Sequence, residues 1–217
     1  MGIKLFSPTV ILIAGLPAVG KTTLAKALSA KLGVRHLYID EDFRRPIFGQ
    51  PNPDPYANPE TKKAAAMEMG FAYDGLIKIG TKGHLLLGRS LIVTATFSRP
   101  LARANVRVIM VEHPEAKLKV IWCRTQRPEA EEIAEIQRRL DERKKGDYAG
   151  GCNSVGHYLD DKRRYPSMDL PHIEIDTLFL SFVRRMCRES AFLHFFITKR
   201  PYCRFCLTKI SIYSMYT

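Results

Sequence analysis

Short apolar runs recur along the chain at Val10–Ala14, His36–Ile39, Leu91–Ala95, Leu118–Cys123 and His172–Ile175. Each is a short apolar or β-branched run, too brief for a helix, so each predicts a buried strand. Helical patterns fill the intervals. Leu24, Leu28 and Leu32 recur every fourth residue, and Gly33 supplies a stop. From Pro59 to Leu87 a long pattern sets Met69, Tyr73, Leu76 and Ile79 on one face. Another helix opens at Pro128, buries Ile133, Ile136 and Leu140, and stops at Gly146. Strands alternating with helices predict an α/β fold, a mostly parallel five-stranded sheet with helices on both faces. Sites in such sheets lie at the carboxyl ends of the strands.

The end of the first strand carries the chain's most specific signal. Residues 15 to 22 read Gly-Leu-Pro-Ala-Val-Gly-Lys-Thr, the pattern G-x-x-x-x-G-K-[ST], between a strand and a helix. Gly15 and Gly20 permit torsions that let successive N–H groups face one concavity, and the following helix adds its positive end. Lys21 is expected on the β- and γ-phosphates and the Thr22 hydroxyl on Mg²⁺. Gly15, Pro17, Ala18, Val19, Gly20, Lys21, Thr22 and Thr23 are the expected binding residues for a nucleoside triphosphate. The fold class narrows to a P-loop NTPase.

Composition changes this picture little. The chain has 217 residues, 46% of them hydrophobic, which suits one α/β domain with an appendage. No apolar run approaches the ~18–20 residues needed to span a bilayer, and no signal peptide or myristoylation pattern is found at the start. Five irregularly placed cysteines suit a reducing compartment, so the cytoplasm is expected. Cys203 and Cys206 form half a zinc site with no second half, and the histidines have no paired metal spacing. The net charge of +12 suggests anionic partners, but residues 177–217 hold seven basic side chains against one acidic, half of the excess. Nucleic acid is therefore not favoured as a partner over a small hydroxyl-bearing substrate.

The second strand runs into Asp40-Glu41-Asp42-Phe43-Arg44-Arg45. Carboxylates at this strand end suit two tasks, holding Mg²⁺ through water and taking a proton from an attacking hydroxyl. An N-cap is the plainer alternative. The proline-rich stretch 50–55 suits a linker or a substrate-covering loop equally.

Here the chain resembles the small P-loop kinases of the zeta-toxin, chloramphenicol phosphotransferase and polynucleotide-kinase type. Asp42, Arg45 and Gly49 reproduce the family's Asp, Arg and Gly spacing after the second strand. Leu91 through Phe97 resembles its third strand, the helix bearing Arg99, Arg103 and Arg107 its following basic helix, and Val120–Cys123 its fourth strand. Arg138, Arg139 and Arg143 resemble the arginines of its lid helix, and the match ends near Thr177. The resemblance implies ATP-dependent phosphoryl transfer to a hydroxyl, with Asp42 or Asp40 as base, Asp40 near Mg²⁺ with Thr22, and Arg45 orienting substrate or phosphate. Arg139 and Arg143 would close from the lid. One departure stands out: the third-strand position that is commonly Asp in the family is Thr94 here. That keeps an ATP-binding protein without transfer activity, and a nucleotide-switched binding module, as alternatives, beside a polynucleotide 5′-hydroxyl kinase. The expected organisation is a kinase domain over residues 1–177, a C-terminal helix over 178–197 and a peripheral basic, aromatic tail over 198–217.

Overall fold

The computed structural model describes residues 5–49, 58–125, 128–144, 154–165 and 167–176, and side chains 143 and 144 are outside the description. The proline-rich stretch and residues 177–217 also lie outside it, so the expected C-terminal helix and tail are not placed.

Five strands form one parallel sheet: β1 (Thr9–Gly15), β2 (Arg35–Tyr38), β3 (Leu91–Thr94), β4 (Lys117–Arg124) and β5 (Ile173–Asp176). Their spatial order is β2-β3-β1-β4-β5, with every neighbouring pair parallel. The chain crosses from β3 over β1 to β4, so a crevice opens at the carboxyl end of β1.

Side chains of β1 alternate between two apolar layers. Ile11 and Ile13 pack with Leu24, Leu28, Ile136, Leu140 and Tyr158, under α1 (Lys21–Leu32), α6 (Glu129–Lys144) and α7 (Val155–Arg164). Val10 and Leu12 pack with Tyr73, Leu76, Ile77, Val106 and Ile109, under α3 (Pro59–Asp74) and α5 (Pro100–Glu112). β1 is buried on both faces along its whole length, which is why its run has no polar alternation. Gly33 ends α1 in the left-handed region at φ 66°, donating its N–H to Ser29 O. Asn58 and Thr61 cap the start of α3 reciprocally.

One helical expectation is corrected. Tyr73 and Leu76 are buried, but Ile79 is 72% exposed. Between α3 and α4 (Lys82–Leu86) the helix widens to a π-helical turn over Gly75–Thr81. Its longer repeat rotates Ile79 outward and brings Ile77 and Thr81 inward, and the Thr81 hydroxyl donates to Leu76 O at 2.8 Å. A second π-helical turn, Ile39–Arg44, leads into the short α2 (Arg45–Phe48). The two turns meet through Phe43. A Cβ on Gly75 or Gly80 would come within 2.7 Å of its ring, so both positions need glycine for the ring to seat.

Candidate functional site

The phosphate loop leaves β1 hard against β4. A Cβ on Gly15 would lie 2.2 Å from Cys123 O, so only glycine fits there. Gly15, Ala18 and Gly20 all have positive φ, at 144°, 62° and 95°. A non-glycine residue in that region is uncommon and marks a backbone held for a purpose. Gly20 then caps α1 without any side-chain acceptor, so the first N–H groups of the helix have no side-chain cap. Lys21 is buried, and its Nζ donates across the turn to Leu16 O at 2.7 Å. Pro17 and Val19 complete the loop, and Thr22 and Thr23 follow, half-buried, in the first turn of α1.

These residues fit a polyphosphate: a glycine-shaped concavity, a helix N-terminus and one cation on a flexible stem. Among the described residues no cluster of three His, Cys, Asp or Glu could hold a metal ion unaided. What this chain would offer Mg²⁺ here is the Thr22 hydroxyl, beside the phosphate oxygens that the ion would accompany.

Arg139 comes to the loop from α6. Its Nη1 donates to Ala18 O at 3.1 Å and its Nε to Glu135 at 2.7 Å. Arg138, one residue earlier, points into solvent between Glu135 and Glu142. The two arginines hold the Glu135 carboxyl down at about 2. Arg143 lies on the last turn of the same helix, and its side chain is not described.

α6 is anchored by a buried group that its sequence pattern does not reveal. Glu132 accepts hydrogen bonds from Thr125 at the end of β4, from the Tyr158 hydroxyl and, at 2.6 Å, from Lys162 on α7. Burial alone would raise its pKa, but these three donors bring it below the ordinary carboxylate value.

The two candidate carboxylates diverge. Asp42 turns back along β2, accepting from Tyr38 N at 2.7 Å and from Arg35 at 3.0 Å. Asp40 faces Arg44 Nη1 at 3.7 Å, and its Oδ1 is buried without a hydrogen bond. Arg44 is buried and also binds Glu68 on α3, at 3.3 Å, while Arg45 is half-buried at the start of α2.

The end of β3 is held rigidly. Phe97 is fully buried at φ 52°. Its N–H donates to the Tyr73 hydroxyl at 2.8 Å, and its carbonyl accepts from Arg103 at 2.7 Å. Tyr73 also bonds Thr96, and Tyr165 donates to Thr96 O. Of the basic helix, Arg103 and Arg107 are tied to Asp169, and Arg99 to Ala66 O. Thr94 is fully buried, with its hydroxyl 2.7 Å from His36 Nε2. Cys123 is buried, and desolvation pushes its thiol up to about 12, so it offers no thiolate. No helix among the described residues is long and apolar enough to cross a membrane.

A model of the AAA-domain family matches residues 10–149. No curated protein matches the sequence. Among solved structures, a candidate kinase from Chloroflexus aurantiacus J-10-fl is 21% identical, with 84% of this chain and 96% of that one covered at a TM-score of 0.59. A sugar kinase from Janibacter sp. HTCC2649 is 16% identical, with 88% and 96% covered at 0.55. Shikimate kinase from Acinetobacter baumannii is 14% identical, with 91% and 97% covered at 0.54. At these identities the likeness is one of fold.

Proposed function

We propose that this chain, which belongs to the AAA-domain family, is an ATP-dependent phosphotransferase that moves the γ-phosphoryl group to a hydroxyl of a small molecule or nucleotide. The observation that carries the reading is the meeting of two cations on one loop. Lys21 and Arg139 come from different elements and both bond carbonyls of the Gly15–Thr22 turn. That arrangement suits a phosphoryl group whose charge is spread over several oxygens in transit. The shared fold of three kinases supports it.

The loop N–H groups and Lys21 bind the phosphates, and Arg139 answers the charge that develops as the β–γ bridging P–O bond breaks. Thr22 would hold Mg²⁺, which when bound neutralises phosphate charge and orients the phosphates. The acceptor hydroxyl gives its proton to a carboxylate while its oxygen bonds to phosphorus, and ADP leaves. We assign that carboxylate to Asp40, because both oxygens of Asp42 are committed to Tyr38 N and Arg35. Arg44 fixes Asp40 and Glu68 at the acceptor side, with Arg45 beside it to orient substrate.

A second reading, nucleotide binding without transfer, is favoured by Thr94, an uncharged side chain at a strand end where a carboxylate would assist the metal. ADP release from ATP and Mg²⁺ separates the two. It is measured across small hydroxyl compounds, nucleosides and 5′-hydroxyl oligonucleotides. Acceptor-stimulated ADP release with a phosphorylated product supports transfer. Tight ATP binding with no product from any acceptor supports the second reading, and a response to oligonucleotides alone supports a polynucleotide kinase.

A further inference from the structure

Thr94 is the last residue of β3, level with Ile13 of β1, two residues before the phosphate loop begins at Gly15. Ile92, two residues earlier on the same strand face, packs in the apolar layer under α1. Thr94 therefore faces α1 as well. The flank of α1 on this side carries Thr22 and Lys26, one turn apart, and the Lys26 ammonium acts on His36. The Thr94–His36 pair thus lies beneath the first turns of the helix that opens the phosphate site.

A hydroxyl bonded to an imidazole has two states. If Nε2 carries the hydrogen, it donates to Oγ1, and Thr94 must donate its own proton elsewhere. If Nε2 is bare, Thr94 donates to it, and the lone pairs of Oγ1 are offered away from the ring. Burial keeps His36 neutral, with a pKa lowered to about 4. The charges of Lys26 and Arg35 act in the same direction, and Asp42 opposes them. A neutral ring has one bare nitrogen to accept with. Nε2 lies 2.7 Å from the hydroxyl, so when Nε2 is the bare nitrogen the Thr94 proton has its partner within the protein.

We propose that Thr94 and His36 act as one uncharged unit in which the Thr94 hydroxyl donates to His36 Nε2 and so presents a fixed acceptor oxygen to the Thr22 end of the phosphate loop. The inference rests on the phosphate-loop reading and deepens it. The unit does part of what a strand-end carboxylate does, accepting a hydrogen bond from Thr22 or from water bound to the metal. It lacks the Coulomb attraction of a negative charge for the ion. His36 is then a positioning residue, acting only through Thr94.

Two measurements on the full chain test this. Long-range ¹⁵N–¹H correlation of the imidazole rings at pH 7, with His36 assigned by its loss in His36→Gln, reports the tautomer without nucleotide or metal. A bare Nε2 and a protonated Nδ1 are expected, and a protonated Nε2 overturns the proposal. Binding of the non-hydrolysable ATP analogue AMP-PNP is then titrated with and without Mg²⁺. Thr94→Val should leave metal-free affinity within about twofold and cut the gain from Mg²⁺ at least fivefold. Thr94→Ser should keep the gain, and Thr94→Asp should keep or increase it. An equal gain in the wild type and Thr94→Val overturns the proposal. If Thr94→Val does not fold, His36→Gln takes its place, and an undiminished gain there overturns it. Failure of the wild type to bind AMP-PNP at all would instead sink the phosphate-loop reading beneath it.

Discussion

The Arg139 guanidinium on α6 donates to the main-chain oxygen of Ala18 at 3.1 Å, a residue 121 positions earlier in the chain. Ala18 is one of the positive-φ residues that shape the phosphate loop. α6 and the loop are thus joined at the point where, on the proposed reading, transferring charge would be met. Arg139→Ala should lower kcat about 100-fold while changing ATP affinity less, the mark of an interaction that strengthens in the transition state. Arg139→Lys should recover only part, because an ammonium cannot bond Ala18 and Glu135 with the same planar fork. Steady-state kinetics of the two variants make the check, and a change confined to KM would count against this role.

Lys21 has a 2.7 Å bond to Leu16 O and a buried position, so its loss removes the loop's own mobile cation. Lys21→Ala should weaken ATP binding at least tenfold or abolish turnover, with the fold retained. Calorimetric titration with ATP and Mg²⁺ reads the effect, and wild-type affinity with wild-type turnover would refute the loop's assignment.

The two strand-end carboxylates should separate on substitution. Asp40→Asn should keep ATP binding and lose transfer by 100-fold or more, since an amide accepts no proton. Asp42→Asn should act on stability, costing about 1 kcal/mol through its bonds to Tyr38 N and Arg35, with turnover changed less than tenfold. Parallel thermal melts and kinetics decide. A dead but fully stable Asp42→Asn would exchange the two roles.

Glu132 gathers Thr125, Tyr158 and Lys162 around one buried carboxylate. Removing it leaves Lys162 and two hydroxyls without their acceptor. Glu132→Ala should destabilise the chain by about 3 kcal/mol, and Glu132→Gln by less, because an amide still accepts from a hydroxyl. Urea denaturation of both variants tests the order. Equal stability of Glu132→Ala and wild type would remove the anchor from the account.

His36 gives a pH signature distinct from that of the carboxylates. Its pKa is about 4 folded against 6.5 for an exposed imidazole, so between these values the unfolded chain holds a proton that the folded chain does not. Stability from this group is therefore full above pH 6.5 and falls as the pH drops from 6.5 towards 4. Glu135, held at about 2 against 4.5, acts lower, its contribution lost as pH falls from 4.5 to about 2. Melting curves from pH 7.5 to 4.5 should show a slope that His36→Gln flattens. An unchanged slope would mean that His36 is not held neutral by the fold.

All five strands were legible in the sequence to within a residue or two; β1 and β3 are buried along their whole length and leave an unbroken apolar run, while β2, β4 and β5 show shorter apolar stretches between polar residues. The phosphate loop was legible because its glycines and lysine lie at fixed spacing within one short stretch, Gly15 to Thr22. Ile79 was misplaced because a π-helical turn changes the repeat on which a helical pattern depends, and Gly75 and Gly80, which permit it, carry no sign of that by themselves. Glu132 was hidden among the acidic residues of α6, where one buried carboxylate looks like its solvated neighbours. The His36–Thr94 bond joins residues 58 positions apart, and no spacing rule connects them. Of the two aspartates, only the folded chain distinguishes the one turned back to Tyr38 N.

Phe43 lies in the turn that carries Asp40 and Asp42, and its ring fills the notch between Gly75 and Gly80. A ring in a socket resists translation but tolerates slight rotation, unlike a hydrogen-bonded strap. The segment from Asp40 through Arg44, with its partner Glu68, is thereby carried on α3 and its widened turn as one piece. The turn that carries Asp40 is thus held on α3 by shape as well as by charge, through the Phe43 ring in its glycine socket and the Arg44–Glu68 pair.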